Sequence, residues 1–262
     1  MILTTGHFLW LSSLLAMVAY VWLGLVSVRA NWVQPKSLLP TAWALHALAL
    51  FAGLYHSELR FGFAPALSMT AWIALTVYVV ESRYFPNLRT HWAWAGVGGG
   101  LVLLAAIWPG ASHLSTQFGL LAAHWVLGLA AYGLFVAAAI HAWLLARSER
   151  QLRMPQSDAA VSFLPVLTLE RLMFQYVVAG FVFLTATLAL GAFFAHDLSH
   201  WWRDHKIAFS LLAWLVIAVL LVGRVRLGWR GKKAARFIYI GTLFLLMAYV
   251  GSRFVLEVVL RR

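Results

Sequence analysis

The sequence has no cysteine, which excludes a disulfide framework, a thiolate zinc site and a thiol-based redox relay. Acid is scarce as well. Aspartate and glutamate together number 8 in 262 residues, and charged residues of both signs make up 11%, where a soluble domain carries about a quarter. No carboxylate pair, no nucleophile beside a base and no phosphate-cradling glycine loop stands out, so an enzyme is not expected. What the chain has instead is apolar surface: 63% of its residues are hydrophobic and the mean hydropathy is +0.84.

A helix needs about 20 apolar residues to cross a hydrocarbon core of roughly 30 Å. Spans of that kind fall at about 7–29, 39–57, 66–84, 92–108, 120–146, 172–194, 207–223 and 237–257. Breakers separate them: Pro35 and Pro40, Pro65, Pro86-Asn87, Pro109-Gly110, the long loop with Pro155 and Pro165, and the turn from Gly228 to Lys233. The sequence therefore predicts an all-α, polytopic membrane helix bundle of about eight transmembrane helices, with residues 1–262 forming a single integral-membrane domain. No lysine or arginine precedes the first run, and Arg29 and Lys36 follow it, so that run is read as a retained helix rather than a cleavable signal.

The net charge of +12 lies at the ends of apolar runs, which points to topology and anionic headgroups rather than nucleic acid. Loops 1–2, 3–4, 5–6 and 7–8 together hold fourteen Lys and Arg residues against six on the other side. The positive-inside rule then places both termini outside (N-out, C-out). Gly96, Gly98, Gly99 and Gly100 form a small-residue patch in the fourth span, read as a site of close helix packing.

Ten histidines are the remaining candidates for chemistry. His46 and His141 fall within spans, and an ionisable group inside a membrane is costly. His46 is read either as a neutral, hydrogen-bonded core residue or as a ligand. His124 opens the fifth span, with Tyr132 two turns further along. The segment His196-Asp197-Leu198-Ser199-His200-Trp201-Trp202-Arg203-Asp204-His205-Lys206 places imidazoles beside tryptophans. It reads equally as an interfacial aromatic belt or as a flat shelf for a planar cofactor such as haem, whose iron takes histidine axially. Arg224, four residues before Gly228, reads as an inside-positive anchor or as a partner for a carboxylate or propionate.

Two stretches carry a resemblance. Glu170-Arg171-Leu172-Met173-Phe174, followed by Gly180-Phe181-Val182-Phe183-Leu184-Thr185 and Leu190-Gly191, is one. Gly228-Trp229-Arg230-Gly231-Lys232-Lys233-Ala234-Ala235, leading to Ala248-Tyr249-Val250-Gly251, is the other. They resemble the cytochrome c assembly family, the CcsA/CcmC-like haem-handling superfamily, in particular its short YpjD-type members, with HemX-like proteins as relatives. The resemblance implies a bacterial inner (cytoplasmic) membrane location, haem as cofactor, and a membrane or periplasmic protein partner. It implies that His124 matches the family's first outer histidine, that His46 is similar in place to an intramembrane one, and that Asp204 and Lys206 match the Asp and Lys of the tryptophan-rich loop motif, with Trp202 nearby. The chain departs from the pattern where His205 replaces a proline and Ile207 a glutamate. Val222, Gly223 and Arg224 stand where a second intramembrane histidine is expected, and no histidine follows the last span. An outer haem iron bound by His124, with His205 or His200 as the second ligand, is the expectation that remains. Two functions follow: a haem-binding, haem-handling protein of cytochrome c biogenesis, or a non-catalytic accessory or regulatory membrane subunit on the same scaffold without haem. A transporter is disfavoured because the spans hold no paired interrupted helices and no acid–base chain.

Overall fold

The computed structural model describes residues 2–28, 38–54, 59–85, 91–113, 120–152, 165–194 and 205–260. They form the expected eight helices: α1 (Ile2–Val28), α2 (Leu38–Leu54), α3 (Phe63–Tyr84), α4 (His91–Ile107), α5 (Leu120–Leu152), α6 (Val166–Phe194), α7 (His205–Leu227) and α8 (Gly231–Leu246). α8 continues through a π-helical turn (Met247–Gly251), one α turn (Ser252–Phe254) and a second π turn (Val255–Val259). Six helices are long and apolar enough to cross a membrane, and Leu38–Gly53 and Ala95–Ile107 are shorter apolar helices. A helix closes its backbone hydrogen bonds internally, which is what a chain in lipid requires. Pro40 and Pro65 each sit in a first turn, where the missing N–H removes no helical bond.

Three helices run further than their apolar windows. α5 continues to Leu152, α6 begins at Val166 and α8 begins at Gly231. Hydropathy locates hydrocarbon, whereas the helix persists into charged sequence until a turn residue stops it. A small ribbon, β1 (Leu59–Phe61) paired antiparallel with β2 (Ala111–His113), is the one addition to the all-α reading among the described residues. It is held close by glycine: a Cβ on Gly62 would lie 2.7 Å from the Gly110 Cα, and Gly110 has φ +83°.

The chain divides into two compact units, Met1–Thr116 with Arg253–Arg262, and Gln117–Ser252. In the first, α1 and α3 each pack against both α2 and α4. In the second, α5 packs on α6 and α8, and α7 packs on α6 and α8. Both expose many large apolar residues, and the first buries a run of small ones on α3. The covered face of α3 carries Ala64, Ala66, Ser68, Thr70, Ala71 and Ala74, while α1 turns Phe8, Leu11, Val18 and Trp22 outward. In lipid, apolar tails solvate the large side chains, and small residues let backbones approach closely.

The first unit is keyed by one polar triplet. Tyr20 of α1, His46 of α2 and Ser68 of α3 are all buried. The Tyr20 hydroxyl lies 2.8 Å from His46 Nδ1, and Ser68 Oγ lies 2.9 Å from His46 Nε2. The ring of Tyr20 then rests on α4 where there is no side chain. A Cβ on Gly98 would meet its Cζ at 2.5 Å, and one on Gly99 its Cβ at 3.3 Å. The glycine patch is thus a close-packing site at two of its four positions, while Gly96 and Gly100 have nothing within 4 Å. Gly98→Ala is expected to destabilise the protein by about 1–3 kcal/mol, the usual cost of overpacking a filled site. Gly96→Ala should be neutral or slightly stabilising, and thermal unfolding of the two variants in one detergent makes the comparison.

Candidate functional site

The second unit carries polar structure at both ends. At one end lies His124, in the first turns of α5. Its Nδ1 lies 3.0 Å from the carbonyl oxygen of Thr187 on α6, which fixes Nδ1–H as the donor. The Thr187 hydroxyl is engaged by its own helix, donating to the Phe183 carbonyl at 2.8 Å. Gly191, one turn on, leaves space for the ring: a Cβ there would stand 3.3 Å from His124 Cε1. Because Nδ1 holds the proton, Nε2 carries the lone pair, in a half-buried side chain. A carbonyl that fixes tautomer and ring orientation in this way is the usual outer-shell support of a metal-binding histidine.

His205 is the first residue of α7 and is exposed. The register of α6 and α7 is set by Trp214, which donates to Thr185 Oγ1 at 3.0 Å and stacks on Phe181. Counting from that contact along antiparallel helices puts His205 at the same end as His124, displaced by about 8 Å along the axis. His200, Trp202 and Asp204 lie outside the described residues. Tyr132, further into α5, meets the backbone of Tyr249 in the π turn.

His46 lies in the first unit and is a fully buried core residue with both ring nitrogens in hydrogen bonds. Iron could be taken up there only by releasing Tyr20 or Ser68. His141 is buried against Tyr176, ring centroids 5.1 Å apart, and its Nδ1 donates to Ala137 O at 2.8 Å. His141 lies about 25 Å further along α5 than His124.

Arg224 stands at the other end of the unit. Its Nη1 is 2.8 Å from Glu170 Oε1, its Cζ lies 4.4 Å from the centroid of Phe174, and Arg230 Nε reaches the same carboxylate oxygen at 3.5 Å. The two readings open for Arg224 resolve in part: it has a carboxylate partner, and that partner is Glu170 of the same chain. The turn to α8 is built around this pair. Trp229 lies on Gly223, where a Cβ would collide with the indole, and the Trp229 backbone N–H donates to Gly223 O at 3.2 Å. Lys233 Nζ sits 3.8 Å over the Trp229 ring, and Gly228 and Gly231 take φ of +64° and +53°. The stretches Glu170–Phe174 and Gly228–Ala235, far apart in sequence, therefore form one ion-paired knot. Glu170 was missed as a partner from sequence. Its signal is that a buried carboxylate needs a cation.

Helices of this length, turned apolar side out, define a multi-pass membrane protein. Residues 11–260 match the family model described as Cytochrome C assembly protein, and the chain belongs to that family. It is similar to the inner membrane protein YpjD of Escherichia coli K12, with 31% identity over 265 residues, covering 94% of this chain and 98% of that protein. It is also similar to an uncharacterised 28.8 kDa protein of Azospirillum brasilense, at 29% identity over 92% of this chain and 87% of that one. A shorter match joins it to the cytochrome c biogenesis protein CcsA of Prochlorococcus marinus, 34% over 93 residues, 35% of this chain and 30% of that protein. No solved structure matches the chain.

The ion-paired knot is open to a double-mutant cycle. Glu170→Gln and Arg224→Gln should each destabilise, and the double variant should recover about 1–2 kcal/mol of their summed loss, the range for groups sharing one ion pair. Unfolding midpoints in detergent read the coupling.

Proposed function

We propose that this protein is a haem-handling membrane protein of cytochrome c biogenesis in a bacterial inner membrane, presenting haem rather than catalysing a reaction itself. The observation that carries the reading is His124: its Nδ1–H is tied to a backbone carbonyl, and its Nε2 is left as a ligand atom on a half-buried ring. Haem takes an axial histidine of that kind, and the surrounding shell governs access to the iron. His124 would hold the iron. His205, at the same end of the unit, or His200 would be the second ligand, with Trp202 and Asp204 in the adjoining segment. Bound haem would supply the iron and the vinyl groups that attach to a cytochrome. The chain's own part is to fix the imidazole tautomer, orient the ring across α5 and α6, and keep the site at a membrane surface where a periplasmic protein partner can reach it. Family membership and the similarity to a protein named for cytochrome c biogenesis support the reading. His46, already committed to Tyr20 and Ser68, acts as a helix key in this account and not as a ligand. Arg224, committed to Glu170, is likewise structural.

The accessory reading makes the opposite optical prediction. Wild-type protein purified in detergent should show a Soret band and a pyridine haemochrome, or acquire them on titration with haem. His124→Ala should lose or shift that band, while His141→Ala should leave it in place. Protein that neither carries nor takes up haem, and co-purifies with a stoichiometric protein partner, would make this an accessory subunit.

A further inference from the structure

A large open cavity of about 580 Å³ lies beside the Glu170–Arg224 pair, and the haem reading makes no use of it. Its polar wall is Glu170, Arg171, Arg224, Arg230 and Gln175. Its apolar wall includes Leu167 and Val178, which are 73% and 48% exposed. Three guanidinium groups face one carboxylate, so the wall keeps an excess positive charge after the Glu170 pairs are formed. Arg171 is exposed on α6 and forms no ion pair among the described residues. Arg230 reaches Glu170 only at 3.5 Å, with 64% of its side chain exposed.

The charge is graded along the helix. Arg171 and Val178 are two turns apart on α6, about 10 Å along its axis. The cavity therefore begins at guanidinium groups and ends on apolar side chains, over a distance that separates headgroup from hydrocarbon in a leaflet. Among the described residues no histidine, methionine or tyrosine lines it, so it lacks the axial donors a haem iron usually takes. Its polar wall belongs to the helix ends that border loops 5–6 and 7–8, the basic side of the chain, where an anionic leaflet is met.

The geometry points to a binding site for an anionic phospholipid at this end of the second unit, with the headgroup phosphate against Arg171 and Arg230 and an acyl chain along Val178 and Ala179. Arg224 positions the wall through Glu170 and is not free to move to the ligand. The inference stands apart from haem, since its residues lie at the opposite end of α6 from Thr187 and Gly191.

The test uses the full-length protein in neutral detergent, with thermal unfolding followed as dioleoylphosphatidylglycerol is added to the micelles. Stabilisation should rise and saturate. The same amount of dioleoylphosphatidylcholine, or inorganic phosphate alone, should give little. Arg171→Gln and Arg230→Gln should each raise the half-saturating phosphatidylglycerol about fivefold, the loss of one basic residue's attraction at an anionic surface. Arg226→Gln, exposed at the same end but outside the cavity, should not. Equal stabilisation by phosphatidylcholine overturns the proposal, as does full stabilisation by inorganic phosphate. So does an Arg226→Gln effect as large as that of Arg171→Gln, which would mean diffuse surface charge, or unchanged lipid dependence in both cavity variants.

Discussion

A hydrogen-bonding group that cannot reach water has to be answered by another part of the chain, and in a membrane there is little else to answer it. Three polar groups, two buried and one half-buried, show how the protein meets this constraint. His46 is answered twice, by Tyr20 and Ser68, and so links α1, α2 and α3 in one contact. Glu170 is answered by Arg224 and Arg230, and so links α6 to α7 and to the turn before α8. His124 is answered by the Thr187 carbonyl, and so links α5 to α6.

Packing follows from the same constraint. Lipid gives no hydrophobic drive between helices, so contact area and close approach have to hold them together. Aromatic rings set against glycine provide it in both units: Tyr20 on Gly98, and Trp229 on Gly223. Each ring also takes part in polar contacts, through the Tyr20 hydroxyl and through the Lys233 ammonium over the indole. Large apolar residues also face outward, Leu11, Val18 and Val182 among them, where lipid tails can cover them.

The eight helices were legible because bilayer thickness fixes the length of an apolar run and proline or glycine ends it. Their charged extensions were not, since the part of α5 beyond residue 146 is helical without being apolar. The β1–β2 ribbon, three residues a side, is too short to leave a periodicity. His124 stood out by its place at the start of a span, and the family pattern gave it a role. Its partner did not stand out, because Thr187 contributes a carbonyl that every residue possesses. Tyr20 and Ser68 were hidden for a different reason: they sit 26 and 22 residues from His46, on other helices, in positions that read as ordinary members of apolar runs. The glycine patch reads from sequence as a contact over all four positions, and the structure narrows it to Gly98 and Gly99, which Tyr20 covers.

The Glu170–Arg224 pair also has a history in time. The carboxylate is synthesised 54 residues before its guanidinium partner. At about 5–20 residues per second it waits roughly 3–10 s, while α6 is already moving into the membrane. Until α7 has been made, Glu170 lacks the guanidinium that answers it in the folded unit. The contact that joins α6 to α7 at this end can therefore form only after α7 has been synthesised.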